Sequence, residues 1–176
     1  MRRTRSLLAL ATATIVSACG NAPSYHGDGN FIDNGPSAAT GRYLLDLGPI
    51  SLAEKSATQF HISGLPREMF VAGIELADKD RVGLALDKAV ASAAVSMQIV
   101  DGQGKELVRV AGPLSAWTWS VSSGSKDAFA YGGYGPNASF KPQSKQSYIV
   151  EIAVTEPDPS AQAISARVML KAGGWK

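Results

Sequence analysis

The chain has 176 residues, of which 45% are hydrophobic, and this is enough for one domain with a substantial core. It carries 17 Lys and Arg against 15 Asp and Glu, and no basic cluster follows residue 19, which argues against nucleic-acid binding. One cysteine excludes an internal disulfide, and because the two histidines share no metal-ligand spacing, a structural zinc site is not expected.

The first eighteen residues have the pattern of a secretory signal. Arg2, Arg3 and Arg5 form a positive head, and residues 6–17 are uncharged and rich in Leu, Ala, Thr, Ile and Val. This apolar stretch is shorter than the roughly 20 residues that span a bilayer. A positive head, a short apolar stretch and small residues at its exit predict a cleaved signal peptide over residues 1–18.

The single cysteine of the chain lies directly after this signal. Val16-Ser17-Ala18-Cys19 is similar to the lipobox of bacterial lipoproteins, in which an aliphatic residue and two small residues precede a cysteine. The resemblance implies that Cys19 receives a diacylglyceryl group and that its new amino terminus carries a further acyl chain such as palmitate. Two or more acyl chains anchor a protein stably to a membrane. The alternative is an ordinary cleaved signal followed by a chance cysteine.

The residue after the lipobox bears on localisation. Gly20 stands where the enterobacterial pattern has an aspartate for retention at the inner membrane, so the resemblance implies an outer-membrane lipoprotein of the bacterial cell envelope. Its domain would face the periplasm or the cell surface. Without Arg2, Arg3 and Arg5 the 17 basic residues become 14 against 15 acidic ones, a formal balance of minus one. The excess of basic over acidic residues therefore lies in the predicted signal peptide.

The segment after the cysteine is predicted to be a flexible tether. Residues 20–40 are rich in Gly, Asn, Pro, Ser and Ala and contain only scattered apolar side chains. Such a segment buries too little apolar area to offset the entropy lost on ordering. The predicted organisation is a lipidated cysteine with a tether over residues 19–40 and one domain over residues 41–176.

From residue 41 onward, most apolar residues alternate with polar ones, which is the period of half-buried strands. The predicted strands cover residues 42–47, 58–62, 69–76, 95–99, 107–110, 116–122, 128–131, 148–154 and 164–170. The turn sequence DGQGKE predicts a hairpin between the fourth and fifth of these strands. Residues 78–92 are predicted to be a long loop with one helical turn.

Eight or nine short strands without a repeating helical pattern predict an all-β fold. We expect an antiparallel β-sandwich of the jelly-roll or immunoglobulin-like type.

No motif in the chain indicates catalysis. Residues 123–126 fit the Ser-x-x-Lys pattern of penicillin-binding enzymes, but the partner motifs are absent. His26 and His61 share no metal-ligand spacing, and the loop that begins at Asp78 has Ala89 where a calcium loop needs glutamate. We therefore predict a protein that is not an enzyme and that uses no metal or cofactor.

Aromatic residues are the candidate contact sites. Trp117 and Trp119 lie two apart on a predicted strand and therefore share one face. Tyr131 and Tyr134 follow beside a glycine-rich loop, and loops on a rigid scaffold often carry recognition. Aromatic side chains of this kind either contact a sugar or a protein partner, or belong to the core.

These observations predict a lipid-anchored envelope lipoprotein that acts as a non-catalytic interaction or assembly module for another envelope protein. The alternative is a module that binds glycan, either peptidoglycan or polysaccharide, through an aromatic face; a third class is an inhibitor or immunity-type lipoprotein. Tryptophan exposure distinguishes the first two. A solvent-facing pair favours sugar, whereas buried tryptophans with an apolar patch elsewhere favour a protein partner.

Overall fold

The protein folds as an antiparallel β-sandwich, as the alternation of apolar residues predicts. A computed structural model describes residues 24–36, 41–81, 85–121 and 126–173. The signal peptide, the lipobox with Cys19 and residues 20–23 lie outside the described residues.

Twelve strands lie in the described part of the chain. They are β1 (His26–Gly27), β2 (Asn30–Asp33), β3 (Tyr43–Ile50), β4 (Ser56–Ser63), β5 (Phe70–Ala77), β6 (Ala94–Asp101), β7 (Glu106–Pro113), β8 (Thr118–Ser120), β9 (Asp127–Tyr131), β10 (Ser139–Phe140), β11 (Ser147–Glu156) and β12 (Ser165–Ala172). Between them lie the short helix α1 (Ala85–Ala89) and the 3-10 helices Leu114–Ala116 and Pro159–Ala163.

The strands form two sheets in which every pair is antiparallel. The five-stranded sheet has the order β1-β4-β11-β6-β7. The seven-stranded sheet has the order β2-β3-β12-β5-β9-β8, with β10 added alongside β5. Each of the nine predicted strands has a counterpart, the predicted hairpin is β6–β7, and the predicted helical turn is α1. The strands that sequence reasoning missed, β1, β2 and β10, have four residues or fewer.

The core lies between the two sheets, and the long strands β11 and β12 contribute alternate residues to it. On β11, the buried side chains are Tyr148, Val150, Ile152 and Val154, while the residues between them face outward. On β12 the same alternation buries Ala166, Val168, Leu170 and Ala172. Because burying one large aliphatic side chain contributes about 1.5–3 kcal/mol, the inner faces supply most of the stability.

The strand β5 is buried over most of both faces, which explains why its sequence FVAGIELA is apolar at every position except Glu75. Phe70, Ile74 and their alternate neighbours face the core, whereas the outward side of the strand carries Val71 and Gly73. The aromatic ring of Phe129 packs over Gly73, where an added Cβ would lie 2.6 Å from the ring. Glycine at this position therefore makes room for an aromatic side chain on the outer face.

The predicted tether is wrong for residues 24–36. The strand β1 pairs with β4 of the five-stranded sheet, and β2 pairs with β3 of the seven-stranded sheet, so that residues 26–33 cross from one sheet to the other. We call residues 26–33 the strap. Phe31 of the strap stacks between Tyr25 and Tyr43, with ring centroids 5.2 and 5.8 Å away.

The glycines of the strap explain why the amino-acid composition predicts a flexible tether where the structure has two paired strands. Gly27 and Gly29 have φ values of 134° and 90°, in the left-handed region that other residues avoid. A Cβ on Gly27 would lie 2.2 Å from the carbonyl oxygen of His61, and one on Gly29 would lie 2.5 Å from that of Asp46. These glycines permit close backbone approach and sharp turns, which composition alone cannot distinguish from flexibility.

We expect Gly27→Ala to destabilise the protein, because the new methyl group meets the His61 carbonyl and the backbone is held at positive φ. The loss in free energy of unfolding should be about 1–3 kcal/mol or more, measured by urea denaturation of the full chain. Gly35→Ala is the matched control, since Gly35 also has a positive φ but no atom lies within 4 Å of its added Cβ. Equal losses for both variants would contradict the close approach.

Candidate functional site

Neither Trp117 nor Trp119 presents an open aromatic face. Trp117 follows the 3-10 helix Leu114–Ala116, is 6% exposed and belongs to the core between the sheets. It precedes β8 rather than lying on it, so the two tryptophans do not share one strand. Trp119 is half-buried against the same core and donates its indole N–H to the Leu114 carbonyl at 3.3 Å. A sugar ring therefore has no exposed indole pair on which to stack.

Tyr131 and Tyr134 lie instead on the outer face of the seven-stranded sheet. Phe129 and Tyr131 project outward from β9 and stack with their ring centroids 5.4 Å apart. The ring of Tyr134 meets Tyr131 edge to face, with 5.4 Å between the two centroids. Tyr131 is 5% exposed, whereas Tyr134 is 57% exposed. The two tyrosines thus form one cluster with a buried base and an exposed tip.

Apolar side chains surround this aromatic pair. Val71 and Met169 are buried with Phe129 and Tyr131 in a cluster separate from the main core. We call the outer surface of the seven-stranded sheet around this cluster the aromatic face. Its exposed residue Met69 precedes β5 in the same alternation as Val71 and has half of its surface accessible.

The aromatic face extends across the sheet towards the strap. Ile32 of β2 pairs with Leu44, Leu44 pairs with Lys171, and Lys171 pairs with Val71, so that these four residues form one row. Ile32 is 39% exposed. The aromatic face therefore carries large exposed apolar side chains on β2, before β5 and after β9.

Ionic contacts restrain the charged side chains of the aromatic face. The Lys171 ammonium lies 2.5 Å from the Glu75 carboxylate and 4.4 Å from the centroid of the Phe129 ring. A cation over an aromatic ring and beside a carboxylate is restrained on two sides. Arg167 binds Asp46 through both Nε and Nη2, at 2.9 and 2.6 Å from Oδ2. These contacts fix the charged side chains between which the apolar residues lie.

The Tyr134 phenol is a neutral hydrogen-bonding group at physiological pH. Partial burial of its hydroxyl, and then a hydrogen bond with Tyr131, raise the pKa of Tyr134 above its ordinary value. A tyrosine with an exposed ring and an uncharged hydroxyl can make both apolar and polar contacts with a partner.

The outer face of the five-stranded sheet is different, because a row of polar residues crosses it. Gln59, Glu151, Gln98 and Arg109 are directly opposite one another on β4, β11, β6 and β7. The Gln59 amide donates to Glu151 Oε1 at 2.7 Å. We call these four residues the polar row.

One end of the polar row is tied to Glu106. Gln98 and Arg109 both donate to Glu106 Oε2, at 3.0 Å from the amide and 2.5 Å from Nη2. The hydrogen bonds from Arg109 lower the pKa of the Glu106 carboxyl group. No described residue donates to Glu151 Oε2, and Arg109 interacts electrostatically with this carboxylate.

A shallow hollow adjoins the polar row. The neighbouring row across the sheet consists of the small residues Ala57, Ala153, Ser96 and Ala111. Because these side chains are short, a depression of about 360 Å³ lies beside Gln59, Gln98 and Glu151. Sequence reasoning missed this arrangement. Alternation marks each member as outward-facing, but only the strand register places them side by side.

The two histidines, which lie far apart in the sequence, line a second hollow of about 370 Å³ on the same sheet. His26 on β1 is opposite Ser63 on β4, and His61 lies two residues away on β4. Within the described ranges, no group of three or more His, Cys, Asp or Glu is arranged to hold a metal ion. No helix among them is long and apolar enough to cross a membrane.

Comparison with known proteins shows no family. No protein-family model and no curated protein matches the chain. Among solved structures, the chain is similar to the insecticidal delta-endotoxin Cry8Ea1 from Bacillus thuringiensis, with 13% identity and a TM-score of 0.36. The match covers 70% of this chain and 19% of that one. At this TM-score the likeness says nothing about fold or function.

We expect Trp117→Ala to lower the free energy of unfolding by about 3–5 kcal/mol, because it removes a large side chain that is packed in the core. Thermal or urea unfolding of the full chain measures this loss. Thr118→Ala is the control at the adjacent exposed position and should change stability by no more than about 0.5 kcal/mol. A Trp117 variant as stable as the control would mean that the indole is not part of the core.

Proposed function

We propose that this chain is a lipid-anchored lipoprotein of the bacterial cell envelope and that its sandwich binds another envelope protein without catalysing a reaction. Cys19 carries the lipid, and the aromatic face of the seven-stranded sheet is the binding surface. The partner is a protein with a complementary apolar surface.

The membrane anchor is supported by the sequence. A positive head, a short apolar stretch and Val16-Ser17-Ala18-Cys19 stand together in the order that lipoprotein processing requires. Acyl chains on Cys19 hold the protein on a membrane, and Gly20 favours the outer membrane over retention at the inner one. The sandwich then lies in the periplasm or at the cell surface.

The observation that carries the binding proposal is the exposure of large apolar side chains on one face while Trp117 and Trp119 are packed against the core. Met69 and Tyr134 are each at least half exposed, and Ile32 lies on the same face. Exposed apolar residues grouped on one surface favour a protein interface. Tyrosine and methionine are also enriched in the centres of such interfaces.

The electrostatics of the aromatic face suit a specific partner. Lys171 with Glu75 and Arg167 with Asp46 present fixed opposite charges among the apolar side chains. Charges that are already held in place cost a partner little ordering entropy, and they select for a complementary charge pattern. The binding energy then comes from the apolar side chains and the specificity from the ion pairs.

Glycan binding is the second candidate, and the hollow beside the polar row favours it. Carboxylate and amide groups of Glu151, Gln59 and Gln98 offer several hydrogen bonds to a hydroxyl-rich ligand. This version of the proposal places peptidoglycan or polysaccharide on the five-stranded sheet, away from Trp117 and Trp119.

We expect Cys19→Ser to move the protein from the membrane fraction to the soluble fraction, because the side chain that would carry the lipid is lost. Fractionation of bacterial cells that express the full chain, with mass spectrometry of its mature amino terminus, measures this change. Ser17→Ala is the control, since it keeps both the cysteine and a small residue in the lipobox. A wild-type protein without acyl groups would refute the anchor.

We expect a photo-crosslinking amino acid at Met69 to capture one envelope protein in living cells, because Met69 is exposed on the aromatic face. The same label at Gln59, which is exposed on the opposite sheet, is the control and should not capture it. Immunoblotting and mass spectrometry of the crosslinked product identify the partner. Reversal of Lys171 to Glu should reduce the crosslink several-fold, because it places two carboxylates side by side.

Two results would refute binding through the aromatic face. One is equal capture from Met69 and Gln59. The other is retention of the wild-type protein on isolated peptidoglycan that Glu151→Ala abolishes and Lys171→Glu leaves intact. The second result would move the site to the polar row and establish the glycan function.

A further inference from the structure

The strand β4 forms an open edge of the five-stranded sheet. Among the described residues, its only strand neighbour on the outer side is β1, which covers Ile62 and Ser63. The remaining part, Ser56–Gln59, is exposed at every residue. This part of β4 therefore has one side paired with β11 and the other side towards solvent.

The hydrogen bonds of His61 show which backbone groups point outward from this edge. The His61 carbonyl accepts from the Asp28 N–H at 2.9 Å, and the His61 N–H donates to Asp28 Oδ2 at 2.7 Å. Because backbone direction alternates along an antiparallel strand, the N–H and C=O of Gln59 and Ala57 also point outward. No residue in the described ranges bonds to these four groups.

The opposite edge of the same sheet is protected, whereas β4 is not. On β7, the Arg109 N–H donates to the Asn137 carbonyl at 2.9 Å, and Pro113 has no N–H to offer. Natural edge strands are usually blunted by proline, lysine, a bulge or a covering loop. Residues 56–60 of β4 contain no proline and no charge, and their pairing with β11 has no register shift. An edge of this kind is suited to pairing with another strand.

We propose that two copies of this chain associate through β4, with the two strands antiparallel around a twofold axis at Thr58. This goes beyond the proposed function, since it concerns a surface on the other sheet and a second copy of the same chain. In this register, Ala57 of each copy is opposite Gln59 of the other. Both residues direct their N–H and C=O outward, so that four backbone hydrogen bonds form across the axis.

The side chains of this strand are compatible with the pairing. Residues 56–60 are uncharged, so no like charges meet, and threonine opposite threonine is a favourable cross-strand pair. Beyond the paired residues, Lys55 of one copy approaches Asp28 of the other, where the strap blocks further pairing. The opposite charges of Lys55 and Asp28 favour this register over one shifted along the strand.

Association in this way joins the two five-stranded sheets into one continuous sheet. The hollow of about 360 Å³ beside Ala57 and Gln59 lies next to the shared edge. Pairing places the two hollows side by side across the twofold axis. The dimer thus presents a polar surface of twice the length, formed by residues from both copies.

Sedimentation velocity of the full chain over a range of concentrations tests this proposal. We expect a reversible, weak dimer, because only five residues per copy pair. Ala57→Pro removes the outward N–H from each copy and should weaken association by on the order of tenfold or more. Ala111→Pro is the matched control on β7, since Ala111 is also an exposed alanine on an outer strand of the same sheet. Circular dichroism and thermal unfolding confirm that both variants are folded.

A crosslink gives a second measurement that does not depend on proline. In a Cys19→Ser background, Thr58→Cys should form an intermolecular disulfide, because residues across a non-hydrogen-bonded pair have Cα atoms about 4.5 Å apart. Ser115→Cys, also exposed, should not do so at a comparable rate.

Three results would overturn the proposal. These are a wild-type chain that stays monomeric at every concentration, a dimer that Ala57→Pro leaves unchanged, and equal crosslinking of the two cysteine variants. The first of them would leave the edge free for an extended peptide of another protein.

Discussion

Two apolar inner faces pack against each other and hold the two sheets of the sandwich together. The long strands β11 and β12 bury every second side chain between the sheets, and most of the residues between these positions face outward. Because the inner faces supply most of the stability, the outer faces are free to differ. One outer face carries the apolar cluster around Phe129 and Tyr131, and the other carries the polar row. The two outer surfaces therefore differ in polarity although they share one core.

Glycine has a structural function wherever backbone or ring must come close. Gly73 accommodates Phe129 on the aromatic face, and the strap turns at Gly27 and Gly29 to reach both sheets. Burial of Phe31 between two tyrosine rings then ties the strap to the core. The strap also covers the end of β4 and leaves the rest of that edge open. Glycines at a few positions thus determine the course of the strap and how much of the β4 edge remains accessible.

The two outer faces suit different modes of recognition. On the aromatic face, Lys171 is held by Glu75 and by the ring of Phe129, so that the charged and apolar groups keep one arrangement. Such preorganisation lowers the entropic cost of binding a protein surface. The polar row, by contrast, offers backbone groups at its edge and carboxylate and amide groups on its face. The polar row therefore presents hydrogen-bonding groups rather than apolar surface.

Alternation, turn residues and the lipobox are local patterns, and they predict the fold class, nine of the twelve described strands, the β6–β7 hairpin and, as a hypothesis, the anchor at Cys19. Three features emerge only when the chain is folded: Trp117 is buried, residues 26–33 form a strap, and Glu151 lies between Gln59 and Gln98. Those outcomes depend on which strands pair and in what register. Register is set by contacts between residues far apart in the chain. The alternation of apolar and polar residues along one strand does not show which strand it pairs with or in what register.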